Sequence, residues 1–314
     1  MYNTAVVFRS FGEPQETLQL ETRELTALAP GNIRVKMRLA PMNASDVIPV
    51  SGAYSHRITL PAVAGYEGMG IVSETTPDAA HLLGQRVLPL RGQGTWQQYV
   101  DCPAELAIRV PDDIDDALAA RAYINPLAAH LMLQLYPARG KHVLVTAAGS
   151  DCAGYLAQWA RLNGAKSVTG IYRSGIHAQR LAEMGVIPLA QTDTAAIEKA
   201  TAKADIVYDA TGGALAQLLL QTLPRSGLFI SYGLLSGQPF DIQQRLPRVH
   251  WFHIRNYLDA MPAAAWQQAF LDIWEQLRRS RCSEVALFGL AHWAEALALY
   301  HTPGRIVKPV LSMA

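Results

Sequence analysis

The chain reads as an α/β protein, a β-rich domain followed by a doubly wound domain with a parallel sheet. Three observations predict this. In the first part, short β-branched runs are separated by Gly and Pro punctuation. Further on, strand-like runs alternate with helix-length segments. Those later runs are almost continuously apolar, as expected when helices cover both faces of a parallel sheet.

Taken in order, "NIRVKMRL", "GMGIVSE" and "GQRVLPL" are strands of the first domain, which the many short strands suggest is barrel-like or partly open. The second domain has "HVLVTA", "SVTGIY", "ADIVYDA" and "GLFISYG" as strands, with helical segments between them. After "YGLLSGQPF" comes a helical region, "AAAWQQAFLDIWEQLRRSRC", and then a final strand, "GRIVKPVLSM". The boundaries fall at 1–123, 124–262 and 263–314, the last segment returning to the first domain. Neither repeats nor low-complexity segments stand out.

Composition narrows the partners. Of the 314 residues 50% are hydrophobic and 17% charged, ordinary for a globular protein. The net charge of +1 gives no basic field to recruit nucleic acid or an anionic membrane. The richest apolar run, "DALAARAYINPLAAHLMLQLY", is broken by Arg121, Asn125, Pro126 and His130, which argues against a membrane span. The N-terminus has no apolar stretch of signal-peptide length. Cys102, Cys152 and Cys282 lie far apart, without zinc-like or disulfide-like spacing. A cytoplasmic chain is the expectation.

The chemistry concentrates in "HVLVTAAGSDCAGYLAQWARLNGAKSVTGIYRS". A strand that ends in a tight turn and feeds a helix aims backbone N–H groups and the positive helix end at a pyrophosphate. Ala148, Gly149, Ser150, Cys152 and Ala153 form this turn with Gly154, and most are small enough for close approach. Asp151 is a like charge beside that pyrophosphate. Ser150 or Asp151 could equally serve only as the helix N-cap. The second strand ends at Arg173 and Ser174, with no acid there. In this fold an acid suits the ribose hydroxyl of NAD, whereas an arginine suits the extra phosphate of NADP. The cofactor expected is therefore NADPH.

These motifs, with "APMNASDVIPVSGAY", "LPAVAGYEGMGIV", "GQRVLPLRGQGTWQQYV", "YINPLAAHLML", "YDATGG", "GLFISYGLLSGQP" and "GRIVKPVL", occur in an order that resembles the medium-chain dehydrogenase/reductase superfamily. The resemblance covers essentially the whole chain and is nearest to the zinc-independent quinone oxidoreductase and 2-enoyl thioester reductase branches. It implies a GroES-like catalytic domain before a Rossmann domain. Ala44 and Tyr66 stand where zinc-dependent members carry Cys and His, and Glu67 alone cannot hold a catalytic zinc.

By this resemblance Tyr54 in "SGAY" is the candidate proton donor and Asn43 orients cofactor and substrate. Reduction of an activated C=C needs such a donor, because hydride addition at the β-carbon leaves an enolate. Asn125, Thr211, Tyr232, Gly233, Leu234 and Lys308 carry over as cofactor contacts, Lys308 toward a phosphate. Trp96 either lines the site or packs in the core. Leu127 departs from the Thr common in enoyl reductases. The resemblance also implies a homodimer, paired through "GLFISYG" and the residues after it.

The expected function is NADPH-dependent reduction of a small-molecule conjugated C=C, an enoyl thioester or enone. Two alternatives stand beside it. An NADPH:quinone reductase needs no uniquely placed acid. A non-catalytic redox or nucleotide sensor would use Cys152, whose thiol lies at a helix start.

Overall fold

The computed structural model describes residues 1–91, 94–242, 247–258 and 260–313. The chain divides into two units. The first comprises Met1–Ile124, Pro262–Arg278 and Ser283–Ala314, and the second Asn125–Met261 and Arg279–Cys282.

In the first unit, β1 (Tyr2–Phe8) pairs with β2 (Leu18–Glu24) and β4 (Ala62–Val63), while β3 (Asn32–Pro41) anchors a larger sheet. That sheet runs β15 (Glu284–Gly289), β16 (Val307–Ser312), β3, β5 (Met69–Thr75), β6 (Arg86–Leu88) and β8 (Ile108–Arg109). Strand β7 (Tyr99–Pro103) also pairs with β3. The period-two pattern of β3 explains its place. Ile33, Val35 and Met37 are buried, while Lys36 and Arg38 are exposed. Arg34 breaks the pattern. It is buried, and its guanidinium is held by Asp101 at 2.8 and 2.9 Å and by Glu74 at 2.8 Å. The C-terminal β16 lies antiparallel to β3, with Val310 opposite Pro41, so the tail belongs to the first unit.

Among the described residues of the second unit, six parallel strands form one sheet. They are β9 (His142–Val145), β10 (Ser167–Tyr172), β11 (Ile187–Ala190), β12 (Ile206–Asp209), β13 (Leu228–Ser231) and β14 (Arg248–Trp251). The order β11-β10-β9-β12-β13-β14 reverses direction between β9 and β12. Counted from β9 this is 3-2-1-4-5-6, the doubly wound arrangement whose ligand crevice lies at that reversal. Val143, Leu144, Val145, Ile206, Val207 and Phe229 form the buried layer.

Residues 279–282 also belong to the second unit. The Gln158 amide bonds the backbone of Arg281, and Trp159 Nε1 donates to Ser280 Oγ at 2.8 Å. No described helix is long and apolar enough to cross a membrane. All three cysteines are free thiols.

Candidate active site

In the second unit, β9 runs into a turn before the helix Asp151–Leu162. The backbone of Ala147 is left-handed, with φ 49°. Ala148 N donates to Ile171 O at 2.9 Å, which ties the turn to β10. Ala148 fits there because β10 carries Gly170, where a Cβ would lie 2.8 Å from the Ala148 Cβ. Gly149 lies against the ring of His177. Ser150 is the N-cap, its Oγ accepting from Ala153 N at 3.3 Å. Asp151 is therefore the first helical residue rather than the cap. Cys152 Sγ lies 3.8 Å from Asn125 O, which brings Asn125 beside the turn.

Arg173 follows β10 directly and is exposed. Among the described residues its guanidinium has no hydrogen-bond or ion-pair partner. Ser174 O accepts from His177 N at 3.1 Å, which sets the short 3₁₀ turn Gly175–His177. His177 was not singled out from the sequence, and an isolated His four residues past Arg173 carries no pattern that could reveal it.

At the end of β12, buried Asp209 accepts from Thr146 Oγ1 at 2.7 Å, Thr211 N at 3.0 Å and Gly212 N at 2.9 Å. Burial raises its carboxyl above the ordinary range, and these three donors oppose that. The arrangement fixes the backbone of Thr211 beside β9. Tyr232 N donates to Asp209 O at 2.8 Å, and Gly233 packs on Ala210. Leu234 is exposed. The Tyr232 hydroxyl is enclosed and has no hydrogen-bond partner among the described residues. Burial, followed by Cys152 and Asp209, pushes the phenol well above its ordinary value. An orphaned buried hydroxyl, a turn of small residues at the start of a 12-residue helix and a partnerless guanidinium fit a dinucleotide carrying a 2′-phosphate.

The first unit holds a buried polar network. Asn43, Asp46, Glu67 and Lys308 are each at most 4% exposed. Lys308 Nζ donates to Asn43 Oδ1 at 2.6 Å, and Asn43 Nδ2 donates to Glu67 Oε1 at 2.6 Å. Glu67 Oε2 accepts from Ile124 N at 2.7 Å and Tyr123 N at 3.2 Å. Asp46 accepts from Asn43 N at 2.7 Å and Tyr66 N at 2.8 Å. Burial, and then the Glu67 charge, pushes the Asp46 carboxyl up to about 7. Burial also raises Glu67, with Lys308 as the strongest opposing influence.

One sequence expectation changes here, and one alternative left open is decided. Lys308, expected at a cofactor phosphate, lies inside the first unit with its ammonium on Asn43, because a buried ammonium must be paired. Trp96 is fully buried, with Nε1 donating to Pro41 O at 3.3 Å, and so belongs to the core. Tyr54 stands apart from the network's hydrogen bonds described above. It precedes the 3₁₀ turn Ser55–Arg57 with left-handed φ 63° and is 40% exposed.

Comparison with known proteins agrees with both units. The model for the alcohol dehydrogenase GroES-like domain matches residues 29–112. A mitochondrial enoyl-[acyl-carrier-protein] reductase of Rattus norvegicus is 32% identical over 75% of this chain and 66% of its own length. The corresponding protein of Xenopus tropicalis is 30% identical, covering 76% of this chain and 71% of its own. A solved structure from Bacillus thuringiensis, provisionally described as an NADPH:quinone reductase, is 31% identical over the full length of both chains, with a TM-score of 0.92. With relatives that share both the β-rich unit and the doubly wound one, the chain belongs to the medium-chain dehydrogenase/reductase superfamily, on its zinc-independent enoyl reductase and quinone reductase side.

Proposed function

We propose that the chain is an NADPH-dependent, zinc-independent reductase of a conjugated C=C in a small molecule, an enoyl thioester or enone. The observation that carries the cofactor choice is Arg173, exposed and partnerless at the end of β10 where an NAD enzyme would place an acid. Bound NADPH supplies a hydride for the β-carbon of the alkene. The turn 148–150, Ala153 and the helix start would hold the pyrophosphate, and Arg173 with Ser174 the 2′-phosphate. Asn125, Thr211, Tyr232, Gly233 and Leu234 would border the rest of the cofactor.

In the first unit, Tyr54 would hold a proton at its hydroxyl for the enolate formed on hydride addition. Its partial exposure leaves the side chain accessible to a substrate. Asn43 would keep its place beside the reacting groups through the buried network.

Likeness to the Bacillus thuringiensis protein favours a second reading, reduction of a quinone. The test is NADPH oxidation by the purified protein against enones, enoyl thioesters and quinones. Turnover of the first two classes supports the primary reading, and turnover of quinones alone supports the second. No turnover, with no change in nicotinamide fluorescence at high micromolar NADPH, would leave only a sensor role.

The reading includes a homodimer in a reducing compartment such as the cytoplasm. Strand β14 ends the sheet, and Trp251 on it is exposed, which suits pairing with a second copy. Three free thiols suit the compartment.

A further inference from the structure

The buried network of the first unit contains two carboxyls, one ammonium and one amide, drawn from three separate stretches of chain. We propose that Lys308 and Glu67 are positioning residues that clamp the two ends of the Asn43 amide and so hold segments 43–46, 66–67 and 123–124 in register. The inference rests on the reductase reading only in taking residues 43 and 54 to border the reacting groups.

The amide has one orientation that satisfies both neighbours. Its Oδ1 must face the ammonium of Lys308, and its Nδ2 must face the carboxylate of Glu67. Reversing it would set a donor against a donor and an acceptor against an acceptor. Glu67 is thereby fixed, and its second oxygen takes the backbone N–H groups of Tyr123 and Ile124. Asp46 closes the other side by tying Asn43 N to Tyr66 N. Lys308 arrives from β16, almost the full chain length away, so the tail completes the clamp.

The charges are coupled. The charged groups that act on Asp46 are Glu67, which raises it, and Lys308, which lowers it. Lys308 also lowers Glu67. Removing the ammonium therefore drives both carboxyls toward their protonated forms. Neutralising Glu67 lets Asp46 ionise more readily. A residue that only filled space would produce neither effect.

The test uses Lys308→Met, Glu67→Gln, their double variant and Lys308→Arg in the full chain. Thermal unfolding is followed against pH, with NADPH oxidation and NADPH binding measured in parallel. In Lys308→Met the pH-dependent loss of stability should extend upward by about one to three pH units, and in Glu67→Gln it should end at lower pH. Each single variant should lower kcat by roughly 10²-fold through misplacement, with NADPH affinity held within about twofold. The double variant should recover part of the lost stability, because neither charge is then left alone, and Lys308→Arg should recover part of it by retaining the charge.

Unfolding-against-pH curves that superimpose across wild type and variants, with additive losses in the double variant, would overturn the proposal. Should Lys308→Met not fold, Glu67→Gln and Lys308→Arg still read the coupling. A wild-type protein inactive on every acceptor would remove the reductase reading alone, since the unfolding curves need no substrate.

Discussion

Gly149 lies so close to the imidazole of His177 that a Cβ at position 149 would come within 2.5 Å of Cδ2. The turn between β9 and the helix Asp151–Leu162 is thus walled on one side by a residue from the segment after β10. Gly149→Ala is expected to push the two apart at a cost of about 1–3 kcal/mol, the usual penalty of overpacking, and to weaken NADPH binding. Truncating the wall as well, in Gly149→Ala with His177→Ala, should restore part of both. Fluorescence titration and thermal unfolding of the single and double variants check this. A double variant no better than Gly149→Ala would show that the contact is not what limits the turn.

Arg173 offers an exposed guanidinium with no described partner, so its removal leaves no buried charge behind. Arg173→Ala is expected to weaken NADPH by about 1.5–3 kcal/mol, the worth of a hydrogen bond to a charged group, or roughly ten- to a hundredfold in Kd. Affinity for NADH, which lacks the 2′-phosphate, should stay the same. Parallel titrations with the two cofactors decide the matter, and equal losses for both would place Arg173 away from the 2′-phosphate.

Asp151 begins the helix that Ser150 caps, so its carboxylate sits at the positive end of the helix and beside the expected pyrophosphate. These two roles oppose each other. Asp151→Asn should cost about 0.3–1 kcal/mol of stability by removing an anion from the helix N-terminus. It should also tighten NADPH by relieving a like-charge contact. Opposite signs in unfolding and in cofactor titration are the expected signature, whereas weaker cofactor binding would mean that the carboxylate points away from the phosphates.

Asp46 gives the stability curve a direction. Its carboxyl rises from an ordinary value of 3.8 to about 7 in the folded chain. A raised folded value means that the native state binds the proton more tightly than the unfolded chain does. The resulting stabilisation is complete below about pH 4 and is lost as pH rises to about 7. Thermal midpoints measured across that window should carry a falling contribution from this group, set against the opposite trend of surface carboxylates paired with arginine, such as Asp113 with Arg278. Asp46→Asn should flatten the falling part. It should also lower stability at every pH, since its amide nitrogen cannot accept from both Asn43 N and Tyr66 N.

What could be read from the sequence follows from where its information is local. Strands β9, β10, β12 and β13 appear as apolar runs because each is covered on both faces. The two edge strands read less plainly, β11 as a short apolar stretch that contains Pro188 and β14 as a mixture of polar and apolar residues, each with exposed positions. The placement of Arg173 and of the turn 148–150 at strand ends was legible because each follows an apolar run directly. The network of Asn43, Asp46, Glu67 and Lys308 was not legible as a network. Its members lie up to 265 residues apart, and only packing brings Lys308 to Asn43. Asp46 attracts no notice in "NASD", yet it is buried and accepts two backbone hydrogen bonds. Residues 280 and 281 are tied into the second unit through Gln158 and Trp159, pairings that no periodicity announces.

Tyr54 separates the two chemical readings. Its hydroxyl belongs to a partly exposed side chain on a left-handed backbone position, which the turn Ser55–Arg57 fixes by Arg57 N donating to Tyr54 O at 2.8 Å. The backbone is therefore set independently of the hydroxyl, and Tyr54→Phe should fold with little change in thermal midpoint. For an enone or enoyl thioester, the charge that develops on the carbonyl oxygen needs a donor, and loss of a general acid costs about 10²–10⁴-fold in rate. For a quinone, the reduced ring can take its protons from water, so the same variant should change the rate little. Rates for both acceptor classes, with NADPH affinity measured alongside, therefore test the assignment. A drop confined to the alkene substrates supports Tyr54 as proton donor. Equal retention for both classes would move that role to another group, and equal loss for both would point to a role in shaping the site instead.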